Sequence, residues 1–130
     1  LSYSPLGGGL LTGKYGVDQR PDDGRLVDNP MYQTRYGADV HYQVAERFTT
    51  FAAEQCYDPV SLAVAWVAHH PAITAPIIGA RTLAQLEGSL GALDIDMTDD
   101  LRAEISALAP TPPPATDRVE ERSEHTYGDR

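Results

Sequence analysis

Apolar residues recur along the chain with the periods of helices and short strands. Val40, Val44, Phe48, Phe51 and Ala52 stand at i, i+4, i+8, i+11 and i+12, one face of a helix from Val40 to Cys56. Tyr57-Asp58-Pro59 breaks it. Asp58 as N-cap and Pro59 at the first helical position then start a helix to about His70. Its apolar stripe is Leu62, Ala63, Trp66 and Val67, and Pro71 stops it. Thr82 caps a third helix to about Gly91, with Leu83, Leu86 and Leu90 inward. Thr98 caps a fourth to about Ala109, with Leu101, Ile105 and Leu108 inward. Asp99 and Asp100 fall in its first turn, where the helix dipole favours acids. Leu1–Ser4 and 73–78 read as strands.

Between these elements the pattern lapses. Pro5 to Gly9 reads as a strand end followed by a flexible loop. Tyr15 to about Asp39 has no period, and Pro21-Asp22-Asp23-Gly24 and Asp28-Asn29-Pro30 are turn signals, so a long loop is expected. Residues 110–130 open on Pro110-Thr-Pro-Pro-Pro and continue polar and charged; they read as a disordered tail. Residues 1–109 hold the remainder. Strands alternating with helices imply an α/β fold with parallel strands. Two strands alone leave open edges, so further strands are expected from additional sequence or another molecule. The chain opens on Leu1 in what reads as mid-strand, and is expected to be part of a longer protein.

Charge and cysteine content narrow the partners. A net charge of −9 argues against nucleic acid and against anionic membranes. No apolar run reaches the length of a membrane span, and no signal-peptide pattern is seen. Cys56 is the one cysteine, expected to be buried or half-buried; it allows no internal disulfide, and a reducing cytoplasm is the default location. His69 and His70 are adjacent and point about 100° apart on a helix, so no metal site is expected.

The stretch most suggestive of chemistry is Ala75-Pro-Ile-Ile-Gly-Ala-Arg-Thr-Leu-Ala-Gln-Leu86. It reads as a strand, a small-residue turn at Gly79-Ala80, Arg81 at a helix mouth, and Thr82 with Gln85 in a capping-box pattern. Free N–H groups and the helix dipole favour an anion there. Ordinary strand–turn–helix architecture with a solvated Arg81 remains the commoner reading of these residues alone. Gly8 to Lys14 matches the start of a nucleotide-binding P-loop, but Tyr15 stands where a magnesium-binding Ser or Thr belongs, so that motif is rejected. Lys14 remains a cation beside a glycine-rich turn. Arg25 and Arg35 are the notable cations of the long loop.

Longer motifs carry a resemblance. Tyr3-Ser-Pro-Leu-Gly-Gly-Gly-Leu-Leu-Thr-Gly-Lys-Tyr15 resembles the strand-seven segment of aldo-keto reductases. Ala63-Val-Ala-Trp66, His70-Pro71, Pro76-Ile-Ile-Gly-Ala-Arg-Thr-Leu-Ala-Gln-Leu86 and Leu90-Gly-Ala-Leu93 resemble the strand-eight segment. The likeness is nearest to the branch of potassium-channel β-subunits and bacterial general-stress reductases. It implies the last two β/α units and C-terminal helix of a TIM (β/α)8 barrel, incomplete in this chain, since whole barrels run to roughly 250 residues. It implies an NADP(H)-dependent oxidoreductase reducing aldehydes or ketones without metal. Ser4, Pro5, Leu6 and Gly7 would lie along the cofactor, with Lys14 near the pyrophosphate or 2′-phosphate and Arg25 as a clasping arginine. Gly79, Ala80 and Arg81 would hold the 2′-phosphate, and Gln85 would reach the adenosine. Gly88 and Ser89 depart from the Glu-Asn that the family often carries there against adenine. The family's catalytic Asp, Tyr, Lys and His lie earlier than strand seven, so the chain alone is expected to be inactive. A complementary N-terminal barrel segment is the expected partner. A cofactor-binding regulatory subunit and an inactive truncated remnant are the alternatives.

Overall fold

The computed structural model describes residues 1–111. Beyond Pro110 and Thr111, which are irregular and exposed, the expected tail lies outside the described residues. Two short strands, β1 (Ser2–Tyr3) and β2 (Pro76–Ile77), pair in parallel, with Ser2 opposite Pro76 and Tyr3 opposite Ile77. Six helices accompany them: α1 (Arg25–Asp28), α2 (Pro30–Tyr36), α3 (Asp39–Glu54), α4 (Pro59–Ala68), α5 (Leu83–Leu90) and α6 (Asp99–Ala107). Turns of 3₁₀ helix span Gly7–Thr12 and Gly91–Asp94. Among the described residues no helix is long and apolar enough to cross a membrane.

The helix starts follow their caps. The side chains of Asp58, Thr82 and Thr98 accept from the N–H groups of Ser61, Gln85 and Leu101 at 2.8, 3.3 and 3.1 Å. Each satisfies a donor that the first helical turn leaves open. The main core forms where α3, α4 and α6 meet, with Phe48 and Ala52 against Leu62, Ala63 and Ala65, closed by Met97 and Ile105. Trp66 lies at its rim, half-buried, and donates its indole N–H to Ser106 Oγ at 3.1 Å. Gly91 allows α4 close approach: a Cβ there would stand 2.5 Å from Ser61 Oγ.

Four expectations change. Residues 15–39 hold α1 and α2 rather than an open loop, because Asn29 is an N-cap accepting from Met31 N–H at 3.0 Å, with Pro30 in the first turn. A second core forms there from Leu10, Tyr15, Leu26, Tyr42 and Ala45. Its residues come from separate segments, so no local period announces it. Arg20 pins this region, donating to the Gly16, Val17 and Gln19 carbonyls while its guanidinium lies 3.4 Å from the Tyr42 ring centroid. Tyr42 and Ala45 therefore take the buried face of α3, and Val40 is exposed. Leu83, Leu86 and Leu90 are exposed as well, because α5 meets α4 through its small residues, where Gly88 lies against Val60 and accepts from Ser61. Cys56 is exposed just beyond α3, with φ of 59°, a left-handed turn that carries its side chain off the core.

Candidate functional site

Parallel pairing puts the C-terminal ends of β1 and β2 side by side. The segments leaving them, Ser4–Leu6 and Ile78–Arg81, form the two walls of a cleft of about 790 Å³. That lies inside the roughly 300–1,000 Å³ range of small-molecule and cofactor sites.

The first wall turns sharply. Ser4 takes φ of 55°, a left-handed conformation that non-glycine residues adopt rarely. Its carbonyl accepts from Gly7 N–H at 2.9 Å. Gly8, at φ of 69°, passes so close to Tyr32 that a Cβ would meet the ring at 2.5 Å. The turn delivers Lys14 to the cleft half-buried, its ammonium 5.4 Å from the Tyr15 ring centroid. Arg25 opens α1 at the same cleft, 5.8 Å from the Tyr32 ring centroid.

The second wall is the β2–α5 connection. Gly79 has open space on its Cβ side, and Arg81 stands exposed at the mouth of α5. Gln85 Oε1 accepts from Arg81 N–H at 2.9 Å, one residue before the usual capping-box partner. Its carbonyl is thereby engaged and its amide NH2 left to donate. Among the described residues, the Leu83 and Ala84 amides find no acceptor. Arg81, Lys14 and Arg25 form no ion pair among these residues. The cleft thus lines up three cations with one carboxylate, Asp58, in a chain whose net charge is −9. Local potential, rather than overall charge, favours an anion here.

Of the ten residues singled out from the sequence, Ser4, Pro5, Leu6, Lys14, Arg25, Gly79, Ala80, Arg81 and Gln85 line this cleft, and Gly7 stands behind it. Gly8 and Gly9 take the lining position instead. Thr12, Asp58 and Val60, to which sequence reasoning assigned no contact, line it too, as do Gly88 and Ser89, which the resemblance set at the adenine positions without the usual side chains. Gly88 was legible as the next turn of α5 after Gln85; Asp58 had no local signal beyond its role as a cap. Arg35 is absent from the lining. Among the described residues no group of three or more His, Cys, Asp or Glu could hold a metal ion.

Comparison with known proteins decides the family. The aldo/keto reductase family model matches residues 1–110. The chain belongs to the aldo-keto reductase family. Over 110 residues it is 32% identical to Protein tas of Escherichia coli, covering 83% of this chain and 31% of that protein. It is 32% identical to the uncharacterized oxidoreductase YrpG of Bacillus subtilis, covering 86% and 32%. An aldo-keto reductase of Babesia bovis is 34% identical, covering 83% and 39%. The chain therefore spans about a third of the length of these relatives. Family membership implies a (β/α)8 barrel, and the parallel strand pair is in keeping with it.

Proposed function

We propose that this chain is the cofactor-binding C-terminal part of an NADPH-dependent aldo-keto reductase, comprising the last two β/α units and final helix of the barrel. The observation that carries this reading is the convergence of Lys14, Arg25 and Arg81 on one cleft at the C-terminal ends of the parallel strands. Active sites of such barrels sit at that end. Bound NADPH supplies a hydride to the carbonyl carbon of an aldehyde or ketone.

The chain's own residues bind and orient. Ser4, Pro5 and Leu6 follow the dinucleotide along the first wall, with Gly7 in the turn beside them, and the left-handed residues Ser4, Gly7, Gly8 and Gly9 let backbone approach it closely. Lys14 balances pyrophosphate charge, and Arg25 closes over it from α1. Arg81 grips the 2′-phosphate with its planar fork, with Gly79 and Ala80 leaving room and the open amides of α5 adding donors. Gln85 offers its free amide NH2 to the adenosine. The catalytic Asp, Tyr, Lys and His come from a complementary N-terminal barrel segment, in the same or another chain. That segment also closes the exposed strand edges.

Equilibrium titration of the assembled reductase with NADPH and NADH tests this. Arg81→Ala is expected to weaken NADPH at least tenfold more than NADH, as loss of a charge-assisted phosphate contact would. Equal losses for both cofactors overturn the 2′-phosphate assignment.

A further inference from the structure

Of the three cleft cations, Arg25 and Arg81 are exposed and Lys14 is half-buried. The lysine meets bare backbone at two points. A Cβ on Gly9 would stand 3.7 Å from Lys14 Cε, and a Cβ on Gly24 would stand 3.3 Å from Lys14 Nζ. The third contact is the Tyr15 ring, whose centroid lies 5.4 Å from the ammonium. Gly24 directly precedes Arg25, so the same packing brings Lys14 beside the start of α1.

Tyr15 is fixed where Lys14 is long and rotatable. It is 2% exposed, and its ring lies 6.2 Å from that of Tyr42, which carries the Arg20 guanidinium. Its hydroxyl abuts Gly24, where a Cβ would stand 2.7 Å away. The face of an aromatic ring attracts an ammonium through its quadrupole. Among the described residues no carboxylate pairs with Lys14, so the ring supplies an attraction that no acid supplies. A free lysine carries much rotamer entropy, and an anion that must first order it binds more weakly. A rigid ring at the ammonium orders it before the anion arrives.

We infer that Tyr15 is a positioning residue: its ring holds the Lys14 ammonium in the cleft, set for a phosphate of the dinucleotide. This rests on the dinucleotide reading above. The experiment places phenylalanine, then mono-, di- and trifluorophenylalanine, at position 15 of the assembled reductase and measures NADPH affinity by equilibrium titration. The four rings are nearly the same in shape, while each fluorine weakens the negative face. Affinity is expected to fall stepwise, by about two- to fivefold across the series, the weight of one cation–π contact. In the Lys14→Met background the fall is expected to vanish, which a ring serving only as core would not produce. A flat series with NADPH still bound overturns the Tyr15 role and leaves the dinucleotide reading standing. So does an equal fall in the Lys14→Met background. Failure of the wild-type reductase to bind NADPH overturns both.

Discussion

Leu62 on α4 and Leu83 on α5 are leucines on short helices capped alike, yet Leu62 is 0% exposed and Leu83 70%. The two regions around them diverge in the same way. On the α3–α4–α6 side, each apolar stripe finds another stripe, and the core closes within the chain. On the α5 side, the contact with α4 runs through Gly88 and the Ser61 hydroxyl. Leu83, Leu86, Leu90 and Leu93 continue one helical stripe that stays outside, and Tyr3 and Ile77 of the strand pair are exposed with it. Caps and propensity suffice to write a helix, but its burial needs a facing element. The cleft lies on the boundary between the two regions, where the strand ends meet the mouth of α5.

That contrast can be broken at several strengths. Leu62→Ala is expected to lower stability by about 2–5 kcal/mol, the cost of a cavity in closed packing, read as a fall in the urea midpoint. Gly8→Ala follows at roughly 1–3 kcal/mol, because it forces a left-handed residue into the Tyr32 ring; an unchanged midpoint would mean that this turn relaxes freely. Thr82→Ala removes the α5 cap and is expected to cost about 1 kcal/mol, seen as lost helical circular dichroism if α5 frays.

The open side should barely respond. Leu93→Ser, at a position 84% exposed, is expected within about 0.5 kcal/mol of the parent when this chain is measured alone. A larger loss would show that the leucine stripe is covered. Tyr15→Phe sharpens the comparison from the closed side. The Tyr15 hydroxyl is buried and makes no full hydrogen bond, only the Leu26 backbone standing near it, so its removal is expected to be close to neutral. Burial raises the Tyr15 pKa; the Leu26 backbone partly offsets this, and Tyr42, Asp23 and Asp28 add to the rise. The folded state therefore holds the proton more tightly than the unfolded one. Its stabilisation is whole below pH 10.0, the ordinary value, and is lost as pH rises through the folded pKa. The Tyr15→Phe variant should lose less stability than the parent in that alkaline range, and equal alkaline losses would contradict the assignment.

Much of this was legible from residues alone. Asp58-Pro59, Thr82 and Thr98 announced three helices, because capping is a local exchange between one side chain and one nearby N–H. The motif from Ala75 to Leu86 carried the second wall of the cleft, and the glycine-rich segment after Tyr3 the first. What stayed hidden was non-local. Asn29-Pro30 reads equally as a turn or a cap until Met31 N–H is seen bonded to it. Tyr15, Leu26 and Tyr42 form one core without sharing a period.

The sequence by itself determined the starts of α4, α5 and α6, the pairing direction of the strands and most residues of both cleft walls, since these rest on contacts a few residues apart or on a β/α order that permits one pairing sense. Only the tertiary structure decided which faces close. Val40 and Tyr42 compete for the inner face of α3, and Arg20 and Tyr15 settle it for Tyr42. Asp58 became part of the cleft only because Ser61 joins the first turn of α4 to Gly88. Hydrophobic periodicity states what a helix can bury, and burial itself depends on which surface arrives from far along the chain.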